Sequence, residues 1–373
     1  MIGNNHHYIK FFLSNELNAL YISIIFRALA FSSVGIFVPL YLHNELGYGL
    51  RAIIYFYLIY TLFFGLFNFL IAHPVSKLSF KYILLISSPF YISYFVLLYF
   101  LQFNPLLFYL IPAIQGSVEA FFWLGFHSEF SYVSDFEKRG KEVGNFFNFS
   151  MLAGLMGPLI GGSIILFSGF QLLFVLVSVL LFGSAVPMFF SKNVRKIRKI
   201  NWGEIFNRKY VKDGVAFLGE GGIGITLGVF WPIFVFTILH GYLKLGSLAT
   251  AVSLFSILFT YVVAKLSDSY NRRFLVRIGS LFFAAAWFLK IFIKNTFQLV
   301  GLYLSRDLFG IITGLPFLAL TYDKSKNRIE YFIMREFSMC VGRVLVLLAV
   351  LFIGNLKVSF IVSGFFSLLY MFL

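Results

Sequence analysis

Along this chain, apolar runs of about the twenty residues a helix needs to cross a bilayer alternate with short polar breaks. The runs fall at Asn18–His43, Ala52–Ala72, Tyr82–Leu101, Pro105–Phe130, Gly144–Ser168, Phe170–Phe190, Val215–His240, Gly246–Lys265, Phe274–Ile293, Phe297–Thr321, Phe337–Ile353 and Leu356–Leu373. Runs of this length predict helices rather than the shorter strands of a barrel. Breaks of only a few residues predict antiparallel neighbours. One long polar stretch, Ser191–Gly214, falls between spans six and seven. In it Val194, Ile197, Trp202, Ile205 and Phe206 interleave with Lys and Arg, which predicts a basic amphipathic helix on the membrane surface. The first run is too long for a signal-peptide core and has no small-residue cleavage site before its end, so a retained span is expected.

Composition agrees with this pattern. Of 373 residues, 60% are apolar and 12% charged, about half the charged share of a soluble domain. No soluble core of this length could bury so much apolar surface, which excludes a soluble enzyme, a disulfide scaffold and a disordered chain. The single cysteine, Cys340, allows neither an intrachain disulfide nor a Cys-based zinc site. No H-E-x-x-H or G-x-x-x-x-G-K-[ST] pattern occurs, so a zinc protease and an ATP-driven motor are not indicated. No enzyme activity, metal or cofactor is expected.

A net charge of +15 would suggest nucleic acid in a soluble protein; here the placement of the basic residues accounts for it. With the N-terminus inside, Lys10, Lys77, Lys81, Lys138, Arg139, Lys141, the run from Lys192 to Lys212, Lys265, Arg272, Arg273, Arg277, Lys324, Lys326, Arg328 and Arg335 fall on the inner side. Only Arg51, Lys244, Lys290, Lys294 and Lys357 fall on the outer side, with Arg27, Arg306 and Arg343 within spans. The positive-inside rule then places both termini in the cytoplasm of a multi-pass protein of the cell membrane, with no nucleic-acid partner. Lys290, near an outer end, is expected to snorkel.

The two halves repeat each other. Phe149-Ser150-Met151 with Gly154 recurs as Phe337-Ser338-Met339 with Gly342, and Asp135 and Glu142 meet Asp323 and Glu330 at the same offset. Pro39 matches Pro232 at a slightly larger offset. The expected fold is therefore an all-α membrane protein of twelve transmembrane helices in two pseudo-symmetric six-helix bundles, with residues 1–190 and 215–373 as halves and 191–214 as a cytoplasmic linker. Two like halves about an axis along the membrane normal are a transporter architecture.

At this point the sequence resembles the major facilitator superfamily. Ala264-Lys265-Leu266-Ser267-Asp268-Ser269-Tyr270-Asn271-Arg272-Arg273 is similar to the family's loop motif G-x-x-x-D-R-x-G-R-R, with Ala, Ser and Asn in place of Gly, Arg and Gly. The resemblance implies a cytoplasmic latch of Asp268, Arg272 and Arg273. The first-half copy has Ser76 for the Asp and keeps Lys77 and Lys81. In span five, Gly144, Ala153, Gly157, Pro158, Gly161 and Gly162 resemble the antiporter motif, which implies export by exchange; ordinary small-residue packing explains the same glycines. In span four, Gln115-Gly116 and Ala120 resemble a further exporter motif, with Pro112 where that motif has Arg.

In such a fold spans one, four, seven and ten line the central path, and each carries a mid-membrane charge: Arg27, Glu119, Glu220, and Arg306 with Asp307. Intramembrane charges are functional candidates by default; Arg343 in span eleven joins them. By the repeat offsets Arg27 is equivalent to Glu220 and Glu119 to Asp307. An Arg27–Glu220 pair is therefore expected when the inner side closes. Glu119 and Asp307, facing one cavity, would disfavour each other's charge and become proton carriers. Static pairs, such as Arg306 with Asp307 or Arg343 with Glu336, are the alternative. Gln115, Glu119 and Trp123 share one stripe of span four, and with Trp231 are candidate substrate contacts, unless the rings merely pack. The expected function is a monomeric secondary transporter working by alternating access. It takes a small-molecule substrate and protons as partners, within the lipid bilayer, by proton-coupled efflux. Uptake of a sugar or organic anion, or a non-transporting scaffold or lipid handler, stay open beside it.

Overall fold

A computed structural model describes residues 16–133, 150–190, 199–269, 271–326 and 328–373. The described residues are helical and contain ten helices long and apolar enough to cross a membrane. The main elements are α1 (Glu16–Val34), α2 (Leu50–Leu70), α3 (Phe80–Phe100), α4 (Leu107–Val133) and α5 (Gly157–Phe190). They continue as α6 (Val211–Ile225), α7 (Trp231–Leu239), α8 (Tyr242–Ser269), α9 (Arg272–Leu289), α10 (Thr296–Ser325), α11 (Ile329–Ile353) and α12 (Val358–Leu369).

The apolar stretch Ser150–Phe190, 41 residues long, would reach about 60 Å as one straight helix, twice the hydrocarbon thickness. It does not run straight. Gly169 takes a left-handed φ of 76°. Along span one the neighbours are Gly157 and Gly161 beside Ser32, Ser33 and Phe37, Phe170 and Phe174 beside Tyr41, then Gly183 and Ser184 beside Phe26 and Ser23. The chain climbs to Gly169 and returns. Only a glycine adopts that backbone at no steric cost, and the sequence break between Ser168 and Phe170 falls there.

Small residues set the closest helix approaches. A Cβ on Gly161 would collide with the Ser33 carbonyl, and one on Gly342 with that of Leu218. So α5 lies tightly on α1, and α11 on α6, the repeat-related pair. Gly116 likewise lets α4 touch the Tyr60 carbonyl of α2. Spans one and seven are both interrupted before their repeat proline. Span one breaks at the turn Gly35–Phe37 ahead of Pro39, and span seven has one wide turn, Thr226–Phe230, between α6 and α7 ahead of Pro232. A proline lacks the N–H that would continue the ladder, so such breaks belong where it sits.

We call the end of the molecule bearing residues 199–210 the linker end and the opposite end the far end. At the far end Tyr242 donates to Glu45 at 2.8 Å, Thr250 accepts from the Leu159 amide at 3.2 Å, and Gly246 faces the Pro158 carbonyl. At the linker end Asn68 donates to the Ile333 carbonyl at 2.8 Å and Phe69 meets Phe337 edge-on.

The amphipathic helix expected for 191–214 is corrected over its described part. Residues 199–210 form two single 3-10 turns, Trp202–Glu204 and Arg208–Tyr210. Asn201 and Asn207 accept from the Gly203 and Lys209 amides. Such side-chain caps compete with helix continuation, and Gly203 weakens it further. Residues 191–198 lie outside the described residues.

Candidate functional site

A cavity of about 270 Å³ lies beside the two helix breaks. Gly35 and Val38 of span one, Tyr57 and Tyr60 of α2, Tyr91 and Tyr94 of α3, Gln115 and Glu119 of α4, Gly224 and Gly228 around the span-seven break, and Arg343 of α11 all line it. Glu119 is the hub. Tyr60 donates to its Oε2 at 2.7 Å and Gln115 to its Oε1 at 3.2 Å. Arg343 in turn donates to the Tyr60 hydroxyl at 3.3 Å and lies over the Phe64 ring. The result is a chain from guanidinium to phenol to carboxylate, on three helices and in one chamber. Gln115 and Glu119 share a face of α4 because they are four residues apart. Such a carboxylate can be held charged by its donors, or can take a proton as those donors rearrange.

Arg27 stands one layer behind this wall. Its guanidinium is 3.9 Å from the Phe122 ring centroid and 4.7 Å from that of Tyr91, and none of its nitrogens has a hydrogen-bond partner. The expected Arg27–Glu220 pair is not present. Glu220 instead accepts from Arg335 at 2.7 Å. The aromatic faces stabilise Arg27 in place of a carboxylate.

Glu119 and Asp307 do not share a cavity. Asp307 pairs with its neighbour Arg306 and accepts from Ser256 at 3.1 Å. It lines a second space of about 300 Å³ with Met151, Ile223 and Gly314. Trp231 is not a cavity contact: it is 2% exposed and, with Trp287, sandwiches the Lys290 ammonium at 3.4 and 3.9 Å. Lys290 therefore does not snorkel; it is fully buried. A snorkelling lysine needs an open route to the interface, and the indoles close it. Trp123 lies outside the cavity and stacks on His127.

The sequence reading missed a third cluster, at the linker end. His127 of α4 bonds the Tyr322 hydroxyl of α10 through Nδ1 at 2.8 Å and accepts from Arg335 of α11 on Nε2 at 3.1 Å. A guanidinium can only donate, so Nε2 is bare and Nδ1 carries the proton. The ring also stacks on Phe332 at 5.5 Å. Arg335 completes the cluster by pairing with Glu336. His127 thus ties the first half of the chain to the second. The available signal was Arg335-Glu336 at the head of an apolar run; starting that span at Phe337 assigned both to a loop.

Of the expected latch, Arg272 pairs with Asp323 at 3.1 Å, Arg273 belongs to a basic pocket at the same end, and the side chain of Asp268 lies outside the described residues. Lys77 is exposed, and Lys81 reaches the Phe189 carbonyl at 3.4 Å. In the span-five motif, Gly157 and Gly161 contact Ser32 and Ser33 while Gly162 and Pro158 meet Tyr242 and Gly246. Ala153 is half-buried. Gly144 lies outside the described residues. Among the described residues no group of three metal-ligating side chains occurs.

Comparison with known proteins bears on the whole arrangement. An uncharacterized protein of Bacillus subtilis, YqgE, is 27% identical over 268 residues, 65% of this chain. The match spans only 60% of that relative. The E. coli fucose:proton symporter FucP superposes with a TM-score of 0.68 at 13% identity, covering 95% of this chain and 97% of its own. A bacterial homologue of the iron transporter ferroportin, in its outward-facing state, gives 0.71 at 11%, covering 95% and 96%. The human organic anion transporter MFSD10 gives 0.67 at 11%, covering 96% and 98%. At these identities the structures speak for the fold. The Major Facilitator Superfamily model matches residues 20–218, more than half of the chain, and with the helical architecture this establishes that the chain belongs to the major facilitator superfamily of membrane transporters.

Proposed function

We propose that the chain is a twelve-span, proton-coupled secondary transporter of a small organic solute. Its solute passes through the Glu119 chamber, and Glu119 carries the proton. Ten candidate spans, one of which reverses at Gly169, and the shorter apolar helix Val358–Phe372 support the count of twelve. The carrying observation is a carboxylate held by Tyr60, Gln115 and, through Tyr60, Arg343 on the cavity wall. The halves are residues 1–190 and 215–373, with the linker end and both termini cytoplasmic. The resemblance of span five to the antiporter motif favours export. Arg343 on the wall favours a second reading, uptake of an organic anion with the proton.

One experiment separates the two. A compound library is screened by thermal shift on purified protein at two pH values. In an exchanger, proton and solute compete, so stabilisation by a hit falls as pH falls; in a symporter it rises. Glu119→Gln should flatten either dependence. A pH dependence that persists unchanged in Glu119→Gln removes Glu119 from the coupling step. For orientation, a cysteine at Lys199 should resist external thiol reagents and one at Lys244 should react. The reverse labelling defeats the assignment, since the basic linker would then lie outside.

A further inference from the structure

At the linker end a cavity of about 560 Å³, separate from the transport chamber, is walled by cations from five segments. Lys209 comes from the second 3-10 turn and Lys212 from the start of α6. Arg273 and Arg277 lie on the first turns of α9, Lys324 and Lys326 at the end of α10, and Arg328 before α11. The one acidic side chain on the wall, Asp213, is already taken by Lys324 at 2.6 Å and by Tyr331 at 3.1 Å, and Lys324 also donates to the Leu373 oxygen at 2.9 Å. Lys209 and Arg328 share Glu204. Lys212, Arg273, Arg277 and Lys326 have no acidic partner among the described side chains. Four uncompensated cations around one hollow repel one another in the empty state, and an anion relieves that repulsion.

The remaining wall narrows the choice of anion. Val276, Leu320, Tyr370, Met371 and Phe372 give the same cavity an apolar side, and Phe372 is half exposed. The volume is far larger than a bare phosphate needs. Exposed arginines hold phosphate oxygens in two-point contacts, while an apolar flank suits a glycerol backbone and the first methylenes of a chain. We propose that this pocket binds a phosphate-bearing ligand, of which the phosphodiester headgroup of an anionic lipid in the adjoining leaflet fits both walls. It couples α6, α9, α10 and α11 through one bound anion. The proposal is independent of the solute that the transport chamber takes.

The test is native mass spectrometry of the purified full-length protein in mixed micelles of dioleoyl-phosphatidylglycerol or dioleoyl-phosphatidylcholine, with and without inorganic phosphate. Wild type should retain phosphatidylglycerol saturably in preference to phosphatidylcholine. Arg273→Gln with Arg277→Gln should weaken that retention by about tenfold or more. Lys199→Gln with Arg208→Gln removes equal charge at the same end but outside the pocket, and should leave retention as in wild type. Displacement of the lipid by millimolar phosphate would make the ligand a soluble phosphate compound in the same pocket. Resistance to phosphate makes it the lipid. Equal retention by the pocket variant and the control variant, or equal retention of both lipids by wild type, overturns the proposal.

Discussion

Replacing His127 by Ala should loosen the linker end without leaving a charge stranded. Beside its stack on Trp123 within α4, the ring makes three contacts that join the two parts of the chain: a bond to Tyr322, a bond from Arg335, and a stack on Phe332. A neutral hydrogen bond contributes about 1 kcal/mol and one from a charged donor about 1.5–3 kcal/mol. The stack adds about 0.5–1.5 kcal/mol. These terms are not additive, and Arg335 keeps both of its carboxylates, so the net loss should be about 2–3 kcal/mol. At 1.4 kcal/mol per tenfold, that favours separation of the linker end by roughly 30- to 150-fold. Spin labels at the exposed positions His73 and Arg328, read by double electron–electron resonance, should show a longer-distance population growing in His127→Ala. In a cycle with Tyr322→Phe, the two effects should couple by about 1 kcal/mol. If the distance distribution matches wild type under conditions where an open form is detectable, the ring packs there without holding the ends together.

Two further outcomes test the packing and the linker. Gly246→Ala places a Cβ against the Pro158 carbonyl, backbone that cannot turn aside, so overpacking of about 1–3 kcal/mol should lower the melting temperature in detergent by a few degrees. Gly301→Ala, where a Cβ meets nothing, should not, and equal effects would discount the close approach. In the linker, the hydrogen bond from Lys209, with Asn207 and Arg328 adding to it, holds the Glu204 carboxyl below the usual carboxylate range against partial desolvation. Its contribution is therefore complete above the ordinary carboxylate pKa and lost as pH falls through the depressed value. Fluorescence of the exposed Trp202 should report that loosening on acidification, and a titration unchanged in Glu204→Gln would assign it to another group.

Residues whose role is set by period and length were legible in the sequence. The apolar runs marked the helices, and the Gly154/Gly342 repeat marked positions where span five and α11 pack on helices of matching rank. Glu119 and Gln115 were legible because four residues on a helix share a face. Partner choice was not. Repeat offsets put Arg27 opposite Glu220, but offsets do not register Phe122 and Tyr91, which enclose the guanidinium from α4 and α3, nor Arg335, which reaches Glu220 first. Lys290 carried no sign that two tryptophans distant in sequence would close over it. The linker misled for a local reason: interleaved apolar and basic residues read as an amphipathic helix, while Asn201 and Asn207, each capping its own turn, decided otherwise.

The reversal at Gly169 has a bearing on how the protein is made. From Met151 to Phe190 the sequence contains no charged residue, so nothing within that stretch tells the insertion machinery which way to thread it. Its direction must come from the basic residues before and after it, and its fold-back from one backbone angle. With another residue at 169, the segment emerging from the ribosome would still be apolar enough to enter the bilayer. Its own backbone would no longer turn it back, and the return across the bilayer would rest on the flanking basic residues alone.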